Sequence, residues 1–182
     1  MRIRRSAAAL AVLAGLSALP SSGAFAGHAG EPYFDLGLLP ATDQTGKQIF
    51  DGLKQFVNDF PYRLTGTANE IRAGKFLHDE MEALGYDAQT CSVPTNAQVF
   101  CDPNGVGAGL KAVMATKRGT TRPDEWIMFI GHYDTVPQTI YGAYDNGAGS
   151  NFIRFMAREF ANVQTNRSLV FVWYNGEEEG LL

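Results

Sequence analysis

Three short stretches hold the residues best able to do chemistry. They are His132 and Asp134 in GHYDTVP, Asp145 in GAYDNGAGS, and Glu177 to Glu179 in NGEEEGLL. An imidazole is a common zinc ligand, and a carboxylate two residues further on can fix its tautomer. Asp145 precedes Asn146 and Gly147, which alone read as an Asn-Gly turn. The same glycines would also let backbone approach a metal closely and start a helix without a side-chain clash. Three adjacent glutamates repel one another, so a partly buried triplet needs a cation or protonation. On a loop, such a run is simply solvated. Read as chemistry, the run divides its labour. One carboxylate binds a metal and another takes a proton from water, whose pKa zinc brings down to about 7.

Those residues need elements to position them. Ile49, Leu53, Phe56, Val57 and Phe60 fall on one helical stripe, which Pro61 ends. The RLTGTANE turn leads into a second helix, with Thr67 or Asn69 as cap. Ala73, Phe76, Leu77, Met81 and Leu84 form its buried face, and Gly85 follows as the residue just past its end. YDAQTCSV and GLKAVMATKRG read as strands, with a turn around Thr120 to Asp124 after the second. EWIMFIGHYD is a further strand, and its continuous apolar run Trp126 to Ile130 predicts burial on both faces. GSNFIRFMAREFANV is a third helix, with Phe152, Phe155, Met156 and Phe160 expected to face inward, and SLVFVWYN is a fully buried strand. Helices alternating with buried strands predict an α/β sandwich with a covered sheet. The three polar clusters then fall at the carboxyl ends of strands or in the following loop, where such sheets bind ligands.

Composition narrows the rest. The chain has 182 residues, 45% of them hydrophobic, which suits one packed domain. A formal net charge of −4 offers no basic footprint for nucleic acid. Residues 1–26 read as a secretory signal: basic MRIRR, apolar AAALAVLAGLSAL, a break at Pro20 to Gly23, and AFA before a cleavage after Ala26. The apolar run is shorter than the ~20 residues that cross a bilayer. Removing it takes away Arg2, Arg4 and Arg5, leaving a more acidic protein that is secreted or periplasmic and not membrane-bound. Residues 27–42 read as an extended arm, and 43–182 as the domain. Cys91 and Cys101 are separated by nine residues, a spacing that fits no short zinc knuckle. In an oxidising compartment they are a candidate disulfide, with two unpaired thiols as the alternative.

Taken together, GHYDTVP, GAYDNGAGS and NGEEEGLL resemble the zinc-dependent exopeptidases of the M28 aminopeptidase type. The RLTGTANE turn, its helix and the strand order look like that family as well. The resemblance implies a three-layer αβα sandwich around a mixed, mostly parallel sheet, holding two zinc ions. It makes His132 a ligand of one zinc, Asp134 the residue orienting it, and Asp145 the carboxylate bridging both metals. It also implies a cis peptide between Asp145 and Asn146. The family reads E-E-x-G-L, base first and ligand second. Gly180 and Leu181 set that frame, so Glu177 is the general base, Glu178 a zinc ligand and Glu179 the variable position. The implied substrate is a peptide or protein with a free amino terminus, whose ammonium group suits an acidic site.

The family pattern also needs a later aspartate ligand and a distant histidine, and no residue after Leu182 is present to supply them. His28 lies beside the expected cleavage site and His78 on the second helix. The sequence therefore reads as the amino-terminal part of such a domain, incomplete at its carboxyl end, which alone is expected to bind zinc weakly and hydrolyse little. Three other readings stay open. A glutaminyl cyclase shares the fold but uses one zinc. The M20-type deacylases carry a similar GHxDTVP but a different Asp loop. A non-catalytic remnant would keep only the amino-terminal half.

Overall fold

A computed structural model describes residues 44–92, 100–102 and 112–180. The signal at 1–26 and the arm at 27–42 lie outside the described residues. Helix α1 runs Gln44–Asp59, α2 Ala68–Ala83 and α3 Ala148–Phe160. The strands are β1 Asp87–Ser92, β2 Phe100–Asp102, β3 Ala112–Lys117, β4 Arg122–His132 and β5 Arg167–Tyr174.

The local signals for α2 work as read. Thr67 is the N-cap, its hydroxyl accepting from the Glu70 N–H at 3.4 Å, while Glu70 Oε2 accepts from the Gly66 N–H at 3.2 Å. The reciprocal pair satisfies two amide donors that the helix cannot. At the other end Gly85 takes φ +83°, its N–H donates to Glu82 O at 2.9 Å, and the Tyr86 N–H donates to Met81 O at 3.1 Å. A left-handed residue there reverses the chain and caps the last carbonyls.

The five described strands form one mixed sheet in the order β2-β1-β3-β5-β4. The mixed sheet with flanking helices is as expected, but the strand directions correct the mostly parallel expectation. β1 pairs antiparallel with β2 and β3, and β3 antiparallel with β5; the β4–β5 pair alone is parallel among the described strands. The physical reason lies in the connections: a parallel neighbour needs a crossover, and α3 supplies it between β4 and β5.

The three described helices share one core with one face of the sheet. Phe56, Leu77, Met81, Ile153 and Ala157 meet Ala88, Val113, Ala115, Leu169, Phe171 and Trp173 there. The described residues thus contribute two of the three expected layers. β5 is buried as expected. β4 is not: Trp126 is 62% exposed and Ile130 59%, with Ile127 and Met128 also exposed. A continuous apolar run marks a strand without saying whether it lies at the centre or the edge, and β4 is the edge among the described strands. Phe129 still packs inward, stacked on Phe171 at 5.1 Å.

The inward face of α3 keeps Met156 and Phe160 packed against the core as expected, and differs in the rest of the stripe. Phe152 is 48% exposed, and the buried positions are Ser150, Asn151, Ile153, Arg154 and Ala157. Polar ties set this rotation. Asn151 Nδ2 donates to Ile49 O at 2.6 Å, Arg154 Nη1 to Gly52 O at 3.3 Å, and Arg154 Nε to Glu80 Oε2 at 2.6 Å. Once a guanidinium is buried, leaving it unpaired costs more than exposing part of a phenyl ring.

Candidate metal centre

The parallel β4–β5 pair delivers the two main clusters side by side. His132 is registered against Tyr174, so the chain leaves β4 through Tyr133 and Asp134 and leaves β5 through Asn175 to Glu178. The third cluster arrives on the turn into α3. There the Gly147 N–H donates to Gly142 O at 2.8 Å, closing one wide turn over Ala143–Gly147. The Asp145–Asn146 peptide within it is cis, as the resemblance implies. Gly142 makes the turn possible. Its φ is +47°, and a Cβ there would sit 2.2 Å from Thr135 Cγ2 and 2.8 Å from Asp145 O.

His132 is buried between carboxylates. Its Nδ1 lies 3.3 Å from Asp134 Oδ1, its Nε2 3.1 Å from Asp145 Oδ1, and the same Nε2 is 3.9 Å from Glu177 Oε2. Ionised carboxylates only accept, so the ring must carry protons on both nitrogens or meet a cation at one. Burial disfavours the imidazolium. The hydrogen bond to Asp134, with the charges of Asp134, Glu177 and Asp145, outweighs it and raises the pKa of His132. Ser150 fixes the ring's backbone: its hydroxyl donates to His132 O at 2.7 Å, while Trp173 Nε1 donates to Ser150 O at 2.9 Å.

Asp134 is wholly buried and fully engaged. Its Oδ2 accepts from the Gly176 N–H at 3.1 Å and the Glu178 N–H at 3.2 Å. The Thr65 hydroxyl lies between that oxygen, at 3.3 Å, and Asn175 Oδ1, at 3.0 Å. Burial pushes the Asp134 carboxyl up, but the His132 contact and the backbone donor Glu178 more than offset it, and the pKa is lowered. Glu178 behaves oppositely. Burial and the nearby Asp145 raise its pKa against the opposing pull of His132. A cation among these groups would relieve that repulsion.

The structure therefore brings together His132, Asp134, Asp145, Glu177 and Glu178. Donor atoms of His132, Glu177 and Glu178 lie within 4.8 Å of one another, and Asp145 reaches His132 Nε2 from the turn. An imidazole and carboxylates in this arrangement fit zinc, with Asp134 leaving Nε2 as the ligating nitrogen. Glu179 is exposed. His78 lies elsewhere, on α2 with Asp79 and Glu82, where Lys75 already holds both Asp79 oxygens at 2.8 and 2.6 Å. Cys91 is disulfide-bonded, and the β1–β2 register sets it directly opposite Cys101.

Several supporting residues escape sequence reasoning. Arg63 is completely buried, and its guanidinium donates to carbonyls of Phe60, Tyr133, Tyr141 and Gly142. Glu70, besides its helix cap, accepts from the Tyr133 hydroxyl. An arginine amid apolar residues in FPYRLTG is the one local hint.

Comparison with known proteins agrees with this geometry. Residues 112–182 match peptidase family M28, which bears out the resemblance read from the motifs. A vacuolar membrane protease of Candida glabrata is 41% identical over 56 residues, covering 31% of this chain and 6% of that protein. A probable zinc metalloprotease of Pyrenophora teres f. teres is 32% identical over 80 residues, covering 40% and 17%. Among solved structures, the glutaminyl cyclase of Porphyromonas gingivalis aligns with a TM-score of 0.56 at 18% identity, covering 72% of this chain and 48% of that one. A leucine aminopeptidase precursor from Bacteroides thetaiotaomicron gives 0.54 at 15%, covering 72% and 47%. At these identities the likeness concerns the fold. The chain spans less than half the length of these solved structures and a small part of the curated relatives.

Proposed function

We propose that this chain carries part of the active site of an M28-type zinc metallopeptidase, acting as an aminopeptidase. One observation carries the reading: His132, Asp145, Glu177 and Glu178 converge at the carboxyl ends of the β4–β5 pair, inside the segment that matches the family. Zinc held there supplies a Lewis acid for the scissile carbonyl and brings the pKa of water to about 7. His132 offers Nε2 while Asp134 accepts from Nδ1 and fixes the tautomer. Asp145, on its own turn, and Glu178 would supply carboxylate ligands to the zinc. Glu177 is the general base: it takes the proton from the attacking water and returns it to the leaving amine. The surplus of carboxylates favours a substrate's free α-ammonium group.

The Cys91 disulfide supports an oxidising compartment. With the signal-like residues 1–26, it supports a secreted or periplasmic protein.

The test is product analysis with the protein that carries this segment. Release of a free amino-terminal residue from an unblocked peptide, abolished by chelation and absent with an acetylated terminus, supports the reading. Ammonia release from a peptide beginning with glutamine, without cleavage, would replace it with a glutaminyl cyclase. Neither product would leave a non-catalytic fold.

A further inference from the structure

The loop that brings Asp145 to His132 is held from beneath by one side chain. Arg63 has no exposed surface, and its donors reach three separate segments. Nη1 donates to Phe60 O at 2.8 Å, just beyond α1, and to Tyr141 O at 2.9 Å. Nη2 donates to Gly142 O at 3.2 Å, in the turn leading to Asp145. Nε donates to Tyr133 O at 2.6 Å, one residue past His132. The Arg63 carbonyl in turn accepts from the Thr135 N–H at 3.1 Å. Gly142 O also accepts from Gly147 N, so the guanidinium grips the carbonyl that closes the Asp145 turn. The ring of Phe56 lies 5.0 Å from the guanidinium carbon.

We propose that Arg63 is a positioning residue that holds the Asp145 turn against the His132 strand end, and so sets the spacing of the two metal-ligating side chains. The functional half of this rests on the metal-site reading above. A planar fork with five donors can serve four carbonyls on three segments at once, whereas a lysine ammonium presents three donors from one point. Lysine at position 63 would keep the charge and most of the packing but release the Tyr141–Gly142 side or the Tyr133 side.

Arg154 is a matched control in the same core. It too is fully buried, and its guanidinium carbon lies 5.5 Å from the Phe56 ring. Its partners are Glu80, Gly52 O and Asn151, none of them a metal donor.

The experiment compares the 182-residue chain with its Arg63→Lys and Arg154→Lys variants. Hydrogen exchange is read at the Gly147 amide and, as a reference, at Phe171 in the sheet. Zinc affinity is measured by chelator competition. Arg63→Lys is expected to speed exchange at Gly147 by about ten-fold relative to Phe171, and to weaken zinc binding by about ten-fold or more. Arg154→Lys should change both amides together and leave zinc affinity near that of the parent. Equal effects of the two variants on the Gly147-to-Phe171 ratio would overturn the proposal. Should Arg63→Lys not fold, the parent chain still decides. The Arg63 Nε–H and the Gly147 N–H should show the same protection, each rate taken relative to its own intrinsic exchange rate, because they open together, and a much lower protection at Gly147 would overturn the clamp. If the parent chain holds zinc too weakly to measure, as expected above for these ligands alone, the exchange measurements still judge Arg63.

Discussion

The Glu178 backbone N–H donates to Asp134 Oδ2 at 3.2 Å, so the residue that orients His132 also anchors the glutamate loop. One buried carboxylate thereby sets two candidate ligands relative to each other. Its two oxygens face different work: Oδ1 meets the imidazole, and Oδ2 collects the Gly176 and Glu178 amides.

Asp134→Asn should therefore damage the site far more than its shape suggests. An amide has one acceptor oxygen, so either His132 Nδ1 or the two backbone amides would face an NH₂ group. Zinc affinity is expected to fall by about 10-fold to 100-fold. Losing a buried charged hydrogen bond should cost about 1.5–3 kcal/mol of stability. Chelator competition and urea denaturation measure the two effects, and unchanged zinc affinity would count against the orienting role.

Glu177 and Glu178 are separable by substitution. In protein with measurable turnover, Glu177→Gln should retain zinc and lower kcat by about 10²-fold to 10⁴-fold. Glu178→Gln should lose zinc, and Glu179→Gln should do little, since Glu179 is exposed. Metal content by atomic absorption beside kcat distinguishes them. Because Glu177 oxygens also lie within metal-binding distance of His132 and Glu178, zinc loss from Glu177→Gln would reassign it as a ligand.

The convergence of His132, Asp145, Glu177 and Glu178 was legible because each sits where a strand or turn signal ends, and spacing along the chain reports that directly. The caps of α2 were legible for the same reason: Thr67, one of the two candidate caps, and Gly85 act on neighbours. Arg63 and Ser150 were not, because their partners at Tyr133, Tyr141, Gly142 and His132 come from distant segments. The rotation of α3 was missed because apolar periodicity has no term for Asn151 and Arg154 bonding α1 carbonyls. The exposure of β4 was missed because an apolar run records hydrophobicity, not neighbour count.

Two glycines with positive φ should respond very differently to alanine. At Gly85, φ +83°, a Cβ meets nothing within 4 Å, so Gly85→Ala should cost only the backbone penalty, about 1 kcal/mol. At Gly142 the same change adds a collision at 2.2 Å with Thr135 Cγ2 and another at 2.8 Å with Asp145 O. Gly142→Ala is expected to cost about 3 kcal/mol or more, and to weaken zinc binding, as the turn shifts. Denaturation of both variants in parallel checks the difference, and equal losses would mean the turn yields without strain.

The pH dependence of stability should invert with zinc. The pKa of His132 is raised in the folded protein, so the native state holds that proton more tightly than the unfolded chain does. In metal-free protein this contribution is complete below the ordinary histidine pKa of about 6.5 and disappears as pH rises through the higher folded value. Zinc competes with the same proton at Nε2, so its stabilisation should grow over that same interval. Urea denaturation with a chelator, or with excess zinc, at a pH below and a pH above the interval gives the comparison. The chelated protein should lose stability with rising pH from this group while the zinc-induced increment increases. A zinc increment that stays flat across the interval would show that His132 Nε2 is not the displaced site.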